Sequence, residues 1–305
     1  MSAQSLPARI RKVALRLDRR QMVGIALVAP AILVILIALV LPFIDAIRAS
    51  TLNRVTGEFV GLEHYVWLFT EGPFWGSLRR SLLWTVGNLV LQGAAGIGVA
   101  LLLQWHFRGR DAIRTVILLP FVVPSAVTAI TWRWLLNTTY GPLNSWLVDF
   151  GVIAGSFNPL NDPLTALGGV VLINTWRWTP LVALVVFAVL QTIPREEYEA
   201  ARMEGAGYLR EFWHVTYPHL SNSLAVLGLL GFLLTFNIFD LVWLLTAGGP
   251  VDATNTLAVL IYDVAFAMRN IGRGTAISVV LFVLLFAFVI GYFQQEEFKE
   301  GGQFE

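Results

Sequence analysis

Six near-continuous apolar stretches, at residues 22–44, 82–104, 113–136, 165–190, 221–246 and 275–293, constrain this chain more than any other feature. Each is about twenty residues or longer, enough for a helix rising 1.5 Å per residue to cross a hydrocarbon core of ~30 Å. Lipid offers no hydrogen-bond partners, so a crossing segment must satisfy its own backbone, and a run of this kind does so as an α-helix. The expected fold class is all-α, a polytopic membrane protein with six transmembrane helices. Apolar residues make up 56% of the chain and charged residues only 13%, a balance outside the range of soluble domains.

Charge orients these helices. Arg9, Arg11, Lys12, Arg16, Arg19 and Arg20 crowd the start of the chain against one acid, Asp18. With that end inside, the cytoplasmic segments carry thirteen basic residues and the outer loops six, as the positive-inside tendency requires. Six crossings then place both termini in the cytoplasm: a basic arm at 1–21, a transmembrane domain at 22–293 and a tail at 294–305. A cleaved signal peptide is the alternative for the first stretch, but that stretch is about twice the usual apolar length and belongs to a six-span pattern. The outer loops at 45–81, 140–164 and 247–274 are too short for separate domains, so a large solute-binding domain must be another polypeptide. Trp67, Trp75, Trp105, Trp132, Trp134 and Trp243 fall near span ends, where an aromatic belt accounts for them.

Between the fourth and fifth stretches, residues 191–220 hold Arg195, Glu196, Glu197, Glu199, Arg202, Glu204, Arg210 and Glu211, too much charge for hydrocarbon. Pro194 suits the first turn of a helix, Glu196 and Glu197 its positive N-terminal end, and Gly205 or Gly207 its stop. Leu209, Phe212, Trp213 and Tyr217 then recur at helical spacing, and Pro218 marks the return to the membrane. The segment reads as a compact cytoplasmic helix-turn-helix.

Glu199-Ala200-Ala201, followed by Gly205 and by Val215-Thr216-Tyr217-Pro218, resembles the signature loop of membrane subunits in binding-protein-dependent ABC importers. The resemblance implies a type I importer permease fold whose loop, through Glu199, Ala200, Ala201, Glu204 and Gly205, docks into a cleft on an ATPase subunit and transmits its closure to the membrane helices. Glu204 stands where the family more often has Asp, and Val215 and Tyr217 replace the common Ile and Leu. Two more segments resemble the carbohydrate branch, the maltose-type and glycerol-phosphate-type permeases: Asn174-Thr175-Trp176-Arg177-Trp178-Thr179-Pro180 with Leu190-Gln191-Thr192-Ile193-Pro194, and Phe236-Asn237-Ile238-Phe239-Asp240 with Leu245-Thr246-Ala247-Gly248-Gly249-Pro250. The likeness runs from about Ala29 to Tyr292. It implies a second homologous permease, two ATPase subunits, an extracytoplasmic solute-binding protein, a sugar, oligosaccharide or polyol substrate, and a place in the cytoplasmic (inner) membrane of a bacterium or archaeon.

A phosphate-binding loop needs Gly-Lys followed by Ser or Thr, and the lysines, Lys12 and Lys299, sit in no such sequence. ATP and magnesium are therefore expected on the partner ATPase, with no cofactor on this chain and no enzymatic activity of its own. Cysteine is absent, and His64, His106, His214 and His219 form no metal-site spacing. The basic arm is explained by membrane orientation and lipid headgroups, not nucleic acid.

Arg177 falls near the middle of the fourth span, where a charge facing lipid is costly, so it should face a cavity or a partner. Asp240, with Asn237 nearly a turn before it, should lie on one face of the fifth span. Asn174, Trp176, Trp178, Phe232 and Phe236 complete the candidate substrate path, since sugars combine apolar faces with a rim of hydroxyls. Structural pairing of Arg177 with a carbonyl or carboxylate, and a capping role for Asp240, are the alternatives. A self-sufficient carrier or channel would couple through intramembrane carboxylates and commonly shows internal repeats; only Asp240 qualifies, and no repeat is evident. A membrane-embedded enzyme would need paired acids or metal ligands at span ends, which are lacking.

Overall fold

The computed structural model describes the backbone of residues 19–301, except 54–55, 106–107 and 156, and within that set the side chains of residues 23–294. Arg9, Arg11, Lys12 and Arg16 of the basic arm, and His106, lie outside the described residues. Among the described residues the structure is helical, with a single isolated bridge between Leu52 and Phe59. Among the described residues, five helices are long and apolar enough to cross a membrane, or six if one bent pair counts as a single span.

The chain divides after Arg48. The first unit contains all but the end of α1 (Arg19–Ser50), an apolar helix of 32 residues that carries Pro30 and Pro42. At 1.5 Å per residue it is about 48 Å long, so it spans hydrocarbon with residues to spare.

The second unit is organised around α3 (Phe74–Gln104) and α7 (Ala166–Leu190), its most extensive helix pair. Ser77, Ser81, Thr85, Asn88, Gln92 and Gly96 recur every three or four residues on α3 and are all buried, a polar and small-residue stripe on one face. Asn174 of α7 donates to Asn88 Oδ1 at 2.7 Å, Gln92 donates to the same oxygen at 3.1 Å, and Asn88 donates to the Trp84 carbonyl at 2.7 Å. A Cβ on Gly96 would lie 2.5 Å from Val182 Cγ1, so the glycine permits the close approach of the two helices. Helices in lipid gain no hydrophobic drive from pairing, and small residues with interhelical hydrogen bonds supply the association instead.

Around this pair stand α4 (Arg110–Val122), α5 (Ser125–Leu135), α10 (Tyr217–Phe236) and α13 (Ile271–Gly301). Shorter helices cover one end: α2 (Glu63–Thr70), α6 (Pro142–Asp149), α11 (Asp240–Thr246) and α12 (Leu257–Tyr262). The charged segment forms α8 (Arg195–Met203) and α9 (Tyr208–Glu211) at the other end of α7. Trp84, Val170, Leu241 and Val259 fill a core near the start of α7, and Val186, Phe187, Leu190, Val215 and Leu220 fill one near its end.

Two of the six expected spans are not single helices. The stretch at 113–136 is broken between α4 and α5, whose axes differ by 100°. Pro124 lacks an N–H and forces Val123 out of the helical region, to ψ 125°, which stops α4. The stretch at 221–246 begins earlier and ends sooner: the helix runs from Tyr208 to Phe236 and restarts as α11 at Asp240. The second short helix expected in the charged loop is thus the first turn of this span. A π turn at Phe212–Thr216 joins them, with the Tyr217 N–H reaching the Phe212 carbonyl just before Pro218, which cannot donate. Pro194 is the N-cap of α8 and not its first helical residue. The segment at 247–274 also holds an apolar helix, α12, which packs on α3 and α13.

Candidate functional site

The charged hairpin is closed by its own backbone. Gly205 adopts φ +81°, its N–H reaches the Arg202 carbonyl at 3.0 Å, and the Ala206 N–H reaches the Ala201 carbonyl at 3.0 Å. This paired pattern is a Schellman motif, which satisfies the last carbonyls of α8 and turns the chain back. Arg202 then donates through Nε and Nη2 to the two oxygens of Glu211 at 3.0 and 3.1 Å, joining α8 to α9. Hydrogen bonding and charge from Glu211 raise the Arg202 pKa further above its ordinary value, so the guanidinium stays cationic. Tyr198 Oη lies 3.2 Å from Thr216 Oγ1, and His219 Nε2 lies 3.4 Å from Glu197 Oε1, so α8 is also tied to the base of α10.

Of the residues expected to dock an ATPase, Glu199, Ala200, Glu204 and Gly205 are exposed, while Ala201 packs on the core at the end of α7. Beside them Met203, Tyr208 and Leu209 are 89%, 86% and 77% exposed, an apolar rim on a charged hairpin. Sequence reasoning passed over Met203 and Tyr208 as site residues. Their signal was present, as large apolar side chains between charges at positions with no membrane to face.

The candidate path residues separate into groups. Trp176, Arg177 and Trp178 all meet the α4–α5 elbow: Trp176 packs edge-on to Trp132 of α5 at 5.6 Å, Arg177 Nε donates to the Val123 carbonyl at 3.3 Å, and Trp178 packs edge-on to Phe121 of α4 at 5.5 Å. The Val123 carbonyl lies where α4 stops, so the guanidinium supplies a partner that the broken helix cannot. From the other side, Ser125 Oγ donates to Asp240 Oδ2, linking the first residue of α5 to the first of α11. Arg177 and Asp240 therefore hold the same elbow two residues apart.

Asn237 caps α10, donating to the Leu233 carbonyl at 2.9 Å, and the helix break separates it from Asp240. The single helical face expected for this pair is absent. Asn174 has no exposed surface and belongs to the α3–α7 contact. Phe236 is buried with Phe74 and Leu257, and Phe232 stacks on Phe288 at 3.9 Å. The Trp178 indole N–H is buried without a partner.

A model of the family described as "binding-protein-dependent transport system inner membrane component" matches residues 92–295, two-thirds of the chain, including the hairpin and the elbow. The chain belongs to this family of membrane-spanning transport components. This inner membrane component is 31% identical over 285 residues to the trehalose/maltose transport system permease protein MalF of Thermococcus litoralis, covering 92% of this chain and 96% of that protein. It is also 31% identical over 271 residues to the sulfoquinovosyl glycerol transport system permease protein SmoG of Agrobacterium fabrum, covering 87% of each. In fold it matches a chain from a bacterial ABC transporter involved in import of the acidic polysaccharide alginate, with a TM-score of 0.80, 20% identity, and coverage of 92% of this chain and 96% of that one.

Proposed function

We propose that this chain is one of two permease subunits of an ATP-driven importer for a sugar, oligosaccharide or related polyol. It works with a second homologous permease, two cytoplasmic ATPase subunits that carry ATP and magnesium, and an extracytoplasmic solute-binding protein. The relatives named for trehalose, maltose and sulfoquinovosyl glycerol support the substrate class. Both termini are cytoplasmic on this reading, in keeping with the distribution of basic residues.

One observation carries the coupling assignment: the hairpin is braced internally and continues through a π turn into α10 without a flexible joint. A displacement at Glu199–Gly205 is therefore delivered to a membrane helix instead of being absorbed in a loop. ATP-driven closure of the ATPases would move the hairpins and switch the helix bundle between inward- and outward-open states. The α4–α5 elbow, held by Arg177 and by Asp240, brings helix ends together beside the unpartnered indole N–H of Trp178.

The test uses the absence of cysteine. Met203→Cys, in the complex with its ATPase subunits, should cross-link to a cysteine in the ATPase cleft, and nucleotide should change the yield. No cross-link with any cleft position, in a complex that still transports, would refute the docking assignment.

A further inference from the structure

A polar cavity lies at the opposite end of α7 from the hairpin. It measures about 510 Å³ and is lined by Arg133, Asn137, Asn158, Asn161, Trp243 and Thr246, with Ala247, Gly249, Pro250 and three leucines beside them. The turn at Pro159–Asn161 packs against the start of α7, where Thr165 Oγ1 donates to the Pro159 carbonyl at 2.8 Å. The hairpin follows the end of α7, so about 37 Å of helix separates the two.

The lining is rich in donors and has no carboxylate. Asn137 Oδ1 accepts from the Thr139 and Tyr140 amides at 2.8 and 3.2 Å, and Asn158 Oδ1 accepts from the Leu160 amide at 2.9 Å. Both side chains thus have their oxygen committed to the backbone and their NH2 left for a ligand. Arg133 uses one N–H on the Leu244 carbonyl, at 3.3 Å, and retains the rest of its fork. Asp162, next to Asn161, has its Oδ1 turned to the Leu164 amide at 3.0 Å. Trp243 already packs on Phe239 and Tyr262, so it is no free platform for a sugar ring.

We infer that this cavity receives an acidic side chain, Asp or Glu, from the docking face of the solute-binding protein. The inference rests on the importer reading above, which places this end outside the membrane. A guanidinium flanked by amide NH2 groups matches a carboxylate in charge and in hydrogen-bond sense. The cavity is far larger than one carboxylate, which suits the tip of a protein loop, and its donors sit on helix ends and turns at the rim, not between the membrane helices.

The test uses the complete importer in lipid nanodiscs, titrated with its binding protein while ATP hydrolysis is followed. Asn158→Asp keeps an oxygen for the Leu160 amide and replaces the NH2 by a negative oxygen; Arg133→Gln removes the positive charge. In each, the binding-protein concentration giving half-maximal stimulation should rise roughly tenfold, with the maximal rate within about twofold of the parent. Raising salt from about 0.05 to 0.3 M should shift that midpoint in the parent more than in Arg133→Gln. Unchanged midpoints in both variants, or equal salt slopes, overturn the inference. So does a raised KM for solute with an unchanged midpoint, which makes the cavity a subsite for an anionic solute. Loss of the second permease from the purified Asn158→Asp complex overturns it by assigning the cavity to the permease pair. A parent complex that no binding protein stimulates refutes the importer reading itself, and this inference with it.

Discussion

Replacing Gly205 separates backbone conformation from steric contact as the basis of coupling. Its φ of +81° is a region L residues enter at a cost, yet a Cβ built there meets nothing within 4 Å. Within the chain, the penalty for a side chain is therefore conformational. A non-glycine residue in the left-handed region costs roughly 1–2 kcal/mol, and Asn, which tolerates that region, costs less. A β-branched residue costs more, being a true outlier there. Relaxing the strain gives up the Gly205–Arg202 and Ala206–Ala201 bonds, each contributing about 0.5–1.5 kcal/mol. A loss of about one to two kcal/mol in the closed hairpin reduces its population, and so the apparent docking affinity, by roughly 5- to 30-fold once the open form dominates. The substitutions Gly205→Asn, Gly205→Ala and Gly205→Val should therefore weaken ATPase affinity and solute-coupled hydrolysis increasingly, in that order, in proteoliposomes, with the permease still inserted in the membrane. Transport at the parental rate by Gly205→Val would refute the reasoning. Damage from Gly205→Asn as severe as from Gly205→Val would show that the partner tolerates no side chain there, making contact and not φ the cause.

Other outcomes follow from the same geometry. Arg177→Ala removes the partner of the Val123 carbonyl and should lower uptake in an assembled complex, and a cysteine at 177 should label with a small water-soluble thiol reagent to different extents with and without nucleotide; unchanged uptake with no labelling in either state would discard a role at the elbow. Asn174→Leu leaves Asn88 Oδ1 with one donor fewer and should destabilise the α3–α7 contact by about 0.6–2 kcal/mol, seen as a lower melting temperature of the purified complex; an unchanged melting temperature would make the contact redundant. Purified alone, the chain should neither bind nor hydrolyse ATP, having no phosphate-cradling loop; saturable binding of a labelled nucleotide would contradict this.

Much of the hairpin was legible in residue order because its determinants are local. Acidic residues at the start of α8, a glycine at its end and a proline before it are chemical requirements of a helix with two exposed ends. The continuity of α9 with α10 was not legible, because Pro218 reads as a break. Only the shift to i→i+5 pairing at Phe212–Thr216 shows how the helix tolerates it. The α4–α5 elbow was hidden for the opposite reason: an apolar run long enough to cross a membrane conceals a 100° bend, although Pro124 was in view.

From sequence alone came the membrane, the approximate position of each apolar stretch, the charged hairpin and the lack of a Gly-Lys-Ser/Thr phosphate-loop sequence, since these depend on composition, period and spacing over neighbouring residues. Tertiary structure decided which polar residues meet. Asn174 became part of a buried contact with Asn88, and Trp176, Arg177 and Trp178 became a clamp on the elbow. Asp240 was joined to Ser125, 115 residues earlier in the chain. Such pairings are set by the rotation and depth of one helix against another, and α7 is too uniformly apolar for its sequence to specify either.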